Sequence, residues 1–299
     1  FWNVILQTLQ HGLERSSTLI NLGGGTINNV AGLAASTLFR GINLIHIPTT
    51  LLGQLDSTID IKHAINTPFG KNLVGTFFAP TKVIVDPAIL TTLSQEQITH
   101  GISESVKHGL VQDKYLLDYF TQYEGQFNNT KFLEEIIDWT IKLKVACMTG
   151  SPDGGREDAI KDYGHAIAHA IEQYSGYNLL HGAAISIGMC ISAEIAQILE
   201  ITGKKEVNMH YQILQKYNLP TSVSPEFCFD HYEICQRQDK TCIQGKVYMG
   251  LMTELGQLWD QNGQYSIPVD FGVLREAFRR NQEKFSEDME FADWAWLRS

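Results

Sequence analysis

Positive charge is scarce in this chain: 23 Lys and Arg stand against 33 Asp and Glu, a formal net charge of −10 over 299 residues. A nucleic acid or an anionic membrane surface demands a basic face, so neither is expected as a partner. An anionic small molecule would need a local cluster of cations to overcome the global sign. Cysteine is also sparse. The five, Cys147, Cys190, Cys228, Cys235 and Cys242, include no C-x-x-C pair, which removes zinc ribbons and thioredoxin-type sites from consideration. The last three recur every seven residues and read as small, half-buried side chains. No apolar run approaches the length of a membrane span. Phe1 stands where a start Met is expected, and nothing resembling a signal peptide follows. The expectation is therefore a cytoplasmic protein whose true beginning, with part of its first domain, lies outside this sequence.

What is present falls into two textures. An amphipathic helix with Val4, Ile5, Leu9 and Leu13 leads to a strand over 18–22. Three glycines, Gly23 to Gly25, and a small-residue helix over about 29–38 follow. Further strands are predicted over 43–47 and 82–85. Strands alternating with helices predict a parallel sheet. Beyond Ser94, where Ser94-x-x-Gln97 forms a capping box, helical periodicity takes over: 96–110, 113–123, 131–149, 160–174, 182–200, 204–217 and 271–283. Ser151 to Gly155 reads as a turn, and the tail from Phe291, with Trp294 and Trp296, carries no pattern that we can read. The fold class expected is α/β followed by all-α, with domains 1–95 and 96–299.

Three constellations carry chemistry. The glycine run between a strand and a helix lets a backbone approach a pyrophosphate, although its spacing is not G-x-G-x-x-G and, taken alone, a tight turn before a core helix is the better reading. His165 and His169 share a helical face, with Glu172 continuing it and His181 beyond the next turn; Glu104 precedes Lys107 and His108 by one turn. A carboxylate with two imidazoles suits a catalytic zinc. Spacing alone favours His165 with His169 and leaves ordinary core or surface histidines equally open, with an ordinary helical salt bridge as the bland reading of Glu104 with Lys107. Finally, Arg40, Lys62, Lys71, Lys107 and Lys144 lie in apolar settings, where a phosphate would offset the cost of burying a cation and where snorkelling is the bland alternative.

Together these residues resemble the dehydroquinate synthase superfamily of sugar-phosphate cyclases. Gly23-Gly24-Gly25-Thr26-Ile27-Asn28-Asn29-Val30-Ala31-Gly32 is similar to its G-G-G-x-x-G-D-x-x-G. Arg40-Gly41 with Pro48-Thr49-Thr50-Leu51, Asp56-Ser57 with Lys62, Gly70-Lys71-Asn72, Glu104 with Lys107-His108-Gly109, Gly164-His165 with His169-Ala170-Ile171-Glu172, and His181-Gly182 with Gly188-Met189 follow in the family's order. The resemblance implies a Rossmann-like NAD domain, a helical metal domain and a homodimer. It implies that Glu104, His165 and His181 bind zinc or cobalt. Gly25, Thr26, Ile27, Asn28, Asn29, Thr49, Thr50, Lys62, Lys71 and Ile89, Leu90, Thr91 and Thr92 would contact NAD. Asp56, Lys62, Asn72, Lys107, Lys144 and His169 would hold the sugar phosphate, with Arg40 reaching a phosphate from a second subunit and Lys240 as the family's late lysine. Glu104, Lys107, Lys144 and His169 would be the catalytic set. The implied reaction oxidises a sugar-phosphate alcohol transiently, eliminates phosphate, restores the alcohol and closes a carbocycle by an aldol step.

Departures from the family pattern point to a branch. Asp158 stands where dehydroquinate synthase carries an arginine seven residues before its first zinc histidine, a poor neighbour for a substrate carboxylate, although Arg156 lies close in sequence. Asp56 to Asn66 and Asp162-Tyr163 resemble 2-deoxy-scyllo-inosose synthase, so glucose 6-phosphate is the expected substrate, with dehydroquinate synthase as the alternative and cyclases of sedoheptulose 7-phosphate third. A glycerol dehydrogenase-type oxidoreductase would not need the lysines. A non-catalytic relative is the other rival, since Ala166 and Ala183 replace the family's usual Thr and Glu.

Overall fold

The computed structural model describes residues 1–67, 70–149 and 155–285. Of the turn expected at 151–155, residues 151–154 lie outside those residues and Gly155 opens a helix; the tail from Phe291 lies outside them too. Two compact units emerge, one of residues 1–101 and 126–144, the other of 102–125 and 145–299. Among the described residues no helix is long and apolar enough to cross a membrane.

The first unit opens with α1 (Trp2–Gln10), β1 (Thr18–Gly23), α2 (Gly25–Thr37) and β2 (Asn43–Pro48). β1 and β2 are parallel, in register from Thr18↔Asn43 to Gly23↔Pro48, and the short β5 (Lys82–Val83) joins β2, giving the order β1-β2-β5. The predicted strand over 82–85 thus has only two paired residues. Between them β3 (Lys62–Thr67) and β4 (Gly70–Phe77) form an antiparallel ribbon that the sequence reading missed. Its strand pattern is hidden because its one buried position among the described residues is polar: His63 is 1% exposed. The ribbon is tied to α2 where the Ala64 amide donates to Asn29 Oδ1 at 3.0 Å. α2 begins at Gly25, directly on the glycine run, four residues earlier than predicted. Ile5, Ala34, Ala35, Leu38, Ile42 and Leu44 form the core, with Val4, Leu13 and Leu19 against it; Leu9 faces solvent instead.

Helices dominate the second unit. Of these, α3 (Gln95–Val111) and α5 (Thr130–Thr149) each contribute residues to both units. Ser94 Oγ accepts from the Gln97 amide at 3.3 Å, which caps α3. There follow α4 (Lys114–Gln122), α6 (Gly155–Lys161), α7 (His165–Tyr174), α8 (His181–Ile198), α9 (Lys204–Lys216), α10 (Phe229–Gln238) and α11 (Phe271–Gln282). α8 is buried on every side from Gly182 to Ala196, as a mostly apolar helix must be, and its one buried carboxylate, Glu194, is held by Lys284 and the Tyr211 hydroxyl. The single helix predicted over 160–174 is two, because Gly164 takes φ +78° and stops α6 from continuing into α7. The unit also holds short antiparallel ribbons, β6 (Cys242–Ile243), β7 (Lys246–Met249) and β10 (Ile267–Val269) in one sheet, β8 (Met252–Glu254) and β9 (Gln257–Leu258) in another. Neither these nor α10 was foreseen.

Two buried histidines make stability depend on pH. His46 Nδ1 lies 2.6 Å from Asn21 Oδ1, and burial, then the neighbouring His63, push its pKa down to about 4. His210 is held between the Glu206 carbonyl at 2.8 Å and the Tyr163 hydroxyl at 2.9 Å, and burial pushes it down to about 4 as well. Unfolded, both titrate near 6.5. Between those values the unfolded chain holds more protons, so stability is full above 6.5 and is lost as pH falls towards 4. Each histidine contributes on the order of 3 kcal/mol across the window. Urea melts at pH 7.5 and 5.0 should show a lower midpoint at pH 5.0, with the drop reduced in His210→Gln.

Candidate metal centre and nucleotide cradle

Three helices of the second unit bring a carboxylate and two imidazoles together. Glu104 comes from α3, His165 is the first residue of α7 and His181 the first of α8. One ligand atom from each lies within 4.8 Å of the other two. His165 Nε2 is 3.5 Å and His181 Nε2 3.6 Å from Glu104 Oε1. That oxygen is buried and accepts no hydrogen bond. A buried carboxylate oxygen is costly to leave without a partner. The donor set, one carboxylate and two imidazoles with room for more ligands, is that of a catalytic rather than a structural divalent site. The residues therefore fit a cation.

The second ring of partners fixes this geometry. His165 Nδ1 donates to the Tyr163 carbonyl at 3.3 Å and His181 Nδ1 to Glu172 Oε1 at 3.1 Å, which leaves both Nε2 atoms as lone-pair donors. The fully buried Tyr163 is anchored in turn by His210. Burial alone would raise the Glu104 carboxyl; the Lys107 ammonium, 2.5 Å from Oε2, and His181 outweigh it and hold the carboxyl below its ordinary range. Lys107 is 1% exposed and also donates to the Lys161 carbonyl at 2.7 Å. Glu172→Gln should keep the fold but weaken zinc binding about 10- to 100-fold in a chelator competition, because the His181 ring loses its ionic partner.

In the first unit β1 runs into Gly24, and α2 starts with no side-chain cap, so its first amides remain available. Ser57 Oγ sits 3.6 Å from where a Cβ on Gly25 would lie, and Ser57 Oγ and Asn28 Nδ2 are buried without hydrogen-bond partners. Orphaned donors around an uncapped helix start fit an anionic dinucleotide. Beside the π-turn Gly53–Ser57, Lys144 is paired with Asp56 and lies 3.8 Å from Asp60, which also faces Lys62 at 3.8 Å.

Comparison with known proteins agrees over most of the chain. Residues 1–100 match the 3-dehydroquinate synthase N-terminal family and residues 101–241 the C-terminal one. The 3-dehydroquinate synthase of Acaryochloris marina is 37% identical over 254 residues, 82% of this chain and 68% of that protein. The chain belongs to the dehydroquinate synthase family. Among solved relatives, a 2-deoxy-scyllo-inosose synthase complexed with carbaglucose-6-phosphate, NAD+ and Co2+ is 29% identical, with a TM-score of 0.82 over 94% of this chain and 78% of that one. ValA, a 2-epi-5-epi-valiolone synthase from Streptomyces hygroscopicus with NAD+ and Zn2+ bound, shares the fold at 23% identity, with a TM-score of 0.83 over 95% and 79%.

In this member of the dehydroquinate synthase family the expected site residues go different ways. His169 packs its ring edge-on against His165, centroids 5.5 Å apart, while its Nδ1 faces Asp239; the ligand atoms converge on His165 with His181, not on the pairing that spacing favoured, His165 with His169. Lys107 spends its ammonium on Glu104 and a carbonyl rather than on open space. Leu90 is 1% exposed and belongs to the core, while Thr91 and Thr92 turn their hydroxyls back onto Ala88 and Ile89 carbonyls. Thr26 and Ile27 are exposed at the start of α2, and Thr49 and Thr50 follow β2, with the Thr49 amide donating to the Gly23 carbonyl at 3.0 Å. Asn72 takes φ +55° and its amide donates to Asn66 Oδ1. Lys71 lies on β4. Lys240 is exposed just past α10. Arg40 is exposed in a turn where Phe39 and Arg40 both take positive φ. Sequence reasoning assigned no role to Asp60, Tyr163, Asp239 or Thr241. Asp60 and Thr241 sit beside near partners in sequence, Lys62 and Asp239, while the contacts Asp60–Lys144, Asp239–His169 and Tyr163–His210 join residues far apart in sequence, which spacing does not reveal.

Proposed function

We propose that this chain is a sugar-phosphate cyclase that uses NAD and a divalent cation, zinc or cobalt, to convert glucose 6-phosphate to 2-deoxy-scyllo-inosose with loss of phosphate. The observation that carries the reading is the unpartnered Glu104 Oε1 facing two imidazole Nε2 atoms. Bound there, the cation supplies a Lewis acid for a substrate hydroxyl, and NAD supplies a reversible oxidant. The remaining work belongs to the chain's own groups. Gly25 to Asn29, with Ser57, Thr49, Thr50 and the stretch 89–92, form the dinucleotide cradle. Lys144 and Lys62, grouped with Asp56 and Asp60, neutralise phosphate and orient the sugar, as Asn72 and Lys71 would from β4. Lys107 keeps Glu104 ionised. A homodimer would set the strained turn at Phe39 and Arg40 to use, with Arg40 reaching a partner's phosphate.

Asp158 supports the choice of substrate. Its carboxylate is paired with Lys161 at 2.8 Å, and so the position offers no cation to a substrate carboxylate. The second reading, 3-dehydroquinate synthase, is favoured by curated relatives that are 35–38% identical. Phosphate release should be measured with NAD and zinc or cobalt on glucose 6-phosphate, sedoheptulose 7-phosphate and the heptulosonate phosphate. Release from glucose 6-phosphate is expected; release from the heptulosonate phosphate alone would reject that substrate.

A further inference from the structure

Asn28 lies near the start of α2, where the family's G-G-G-x-x-G-D-x-x-G carries its fourth glycine, so the Asn28 carboxamide is this chain's own addition to the cradle. It is 1% exposed. Its Oδ1 accepts from Asn21 Nδ2 on β1, and Asn21 Oδ1 faces His46 Nδ1 on β2 at 2.6 Å. All three side chains are buried. At Asn28 the run of bonds stops: Nδ2 is buried and has no hydrogen-bond partner. That nitrogen lies on the side of the cradle. A Cβ on Gly53 would sit 3.6 Å from it and 2.9 Å from Thr50 Oγ1, and a Cβ on Gly24, at the uncapped start of α2, would sit 2.9 Å from Thr50 Cγ2. Thr50 thus borders both the helix start and the turn that the Asn28 amide faces.

The bonds run in one direction. His46 Nε2 is also buried without a partner. Burial, then the neighbouring His63, keep the ring neutral, so it carries one proton. A stranded N–H is the rarer fault in a folded interior than a stranded lone pair, which places that proton on Nδ1. Nδ1–H then donates to Asn21 Oδ1. Asn21 in turn directs its N–H edge to Asn28 Oδ1, and Asn28 directs its own N–H edge away from the sheet. Two amide hydrogens are left beside a helix start whose backbone amides are also uncapped. Donors of this kind suit the oxygen of an anion.

We propose that His46 and Asn21 are positioning residues which lock the Asn28 carboxamide with its N–H edge towards the start of α2, where it donates to an anionic oxygen of the dinucleotide. The choice of ligand rests on the NAD reading above. A glycine at this position would leave the same anion to the backbone amides alone.

The test uses the full chain at pH 7.5. Long-range 1H–15N spectra, with His46 assigned by comparison with His46→Phe, should show Nδ1 protonated and Nε2 bare. Asn28→Gly should lower NAD affinity about tenfold or more in a titration, with zinc content unchanged. Asn21→Asp keeps the shape but offers only acceptors. Asn28 must then turn its N–H edge back to the new carboxylate and its oxygen to the ligand, so NAD affinity should fall about 100-fold or more. In the Asn28→Gly background the same change should cost less than about fivefold, because no amide remains to invert. An Nε2–H tautomer in the unsubstituted chain, NAD affinity within about threefold of it in Asn28→Gly, or an equal loss from Asn21→Asp in both backgrounds would overturn the proposal. The first two decide even where Asn21→Asp fails to fold. Absence of NAD binding by the unsubstituted chain would sink the dinucleotide reading instead, while the tautomer still reports which edge of Asn28 faces the cradle.

Discussion

Glu104→Gln is expected to remove bound metal and to lower phosphate release at least about a thousandfold. Glu104 is fully buried between two charged duties. Oε1 faces the His165 and His181 nitrogens, and Oε2 accepts from Lys107 at 2.5 Å. A neutral amide fails both. It is a poor ligand for a hard divalent ion, and it strands the Lys107 ammonium, itself 1% exposed, without a counter-charge. Breaking a buried pair from one side costs about 3–5 kcal/mol, so a lower melting temperature should accompany the lost metal. The two effects separate in the double variant Glu104→Gln with Lys107→Met. Replacing both partners removes the stranded charge, so stability should largely return while zinc binding and turnover stay lost. Recovery of metal binding in the double variant would mean that Glu104 serves Lys107 and not a cation.

Gly188→Ala should be the most damaging single methyl in the second unit. A Cβ there would lie 2.3 Å from the Gly164 carbonyl oxygen and 3.3 Å from the Ala168 amide, all backbone atoms with no side chain to move aside. α8 must then retreat from α7. The two helices begin with His181 and His165, so the retreat opens the ligand group. Overpacking of this kind costs about 1–3 kcal/mol and more where backbone must shift. The expected result is a lower urea midpoint together with zinc affinity reduced by at least about tenfold. Gly188→Ala with unchanged zinc affinity would show that α7 and α8 slide without disturbing the site.

Much of this was legible in the sequence, and the misses have physical causes. α8 could be read because a helix that is apolar on nearly every side has one place to go, the interior. Glu104, His165 and His181 could be read because a family motif marks each. The break before His165 was hidden: Ile160 and Ile167 keep a helical period across Asp162-Tyr163-Gly164, and only the positive φ of Gly164 ends the helix. β3 escaped because His63 is buried on a ring-to-backbone bond with the Phe78 carbonyl, not by apolarity. Lys107 was read both as a hand for substrate and, at i+3 from Glu104, as a helical salt bridge, and the structure shows that salt bridge fully buried. Asp239 was met only in a loose family match around Asp239-Lys240, because its contact with His169 joins residues far apart in sequence.

Cobalt titration tests the metal centre most directly. The full chain should bind one Co2+ per molecule and develop the visible absorption of a low-coordinate N/O site, and that absorption should vanish in the variant carrying both His165→Ala and His181→Ala. Equal uptake and an unchanged spectrum in that variant, or no uptake by the unsubstituted chain, would contradict the assignment of Glu104, His165 and His181 as its ligands.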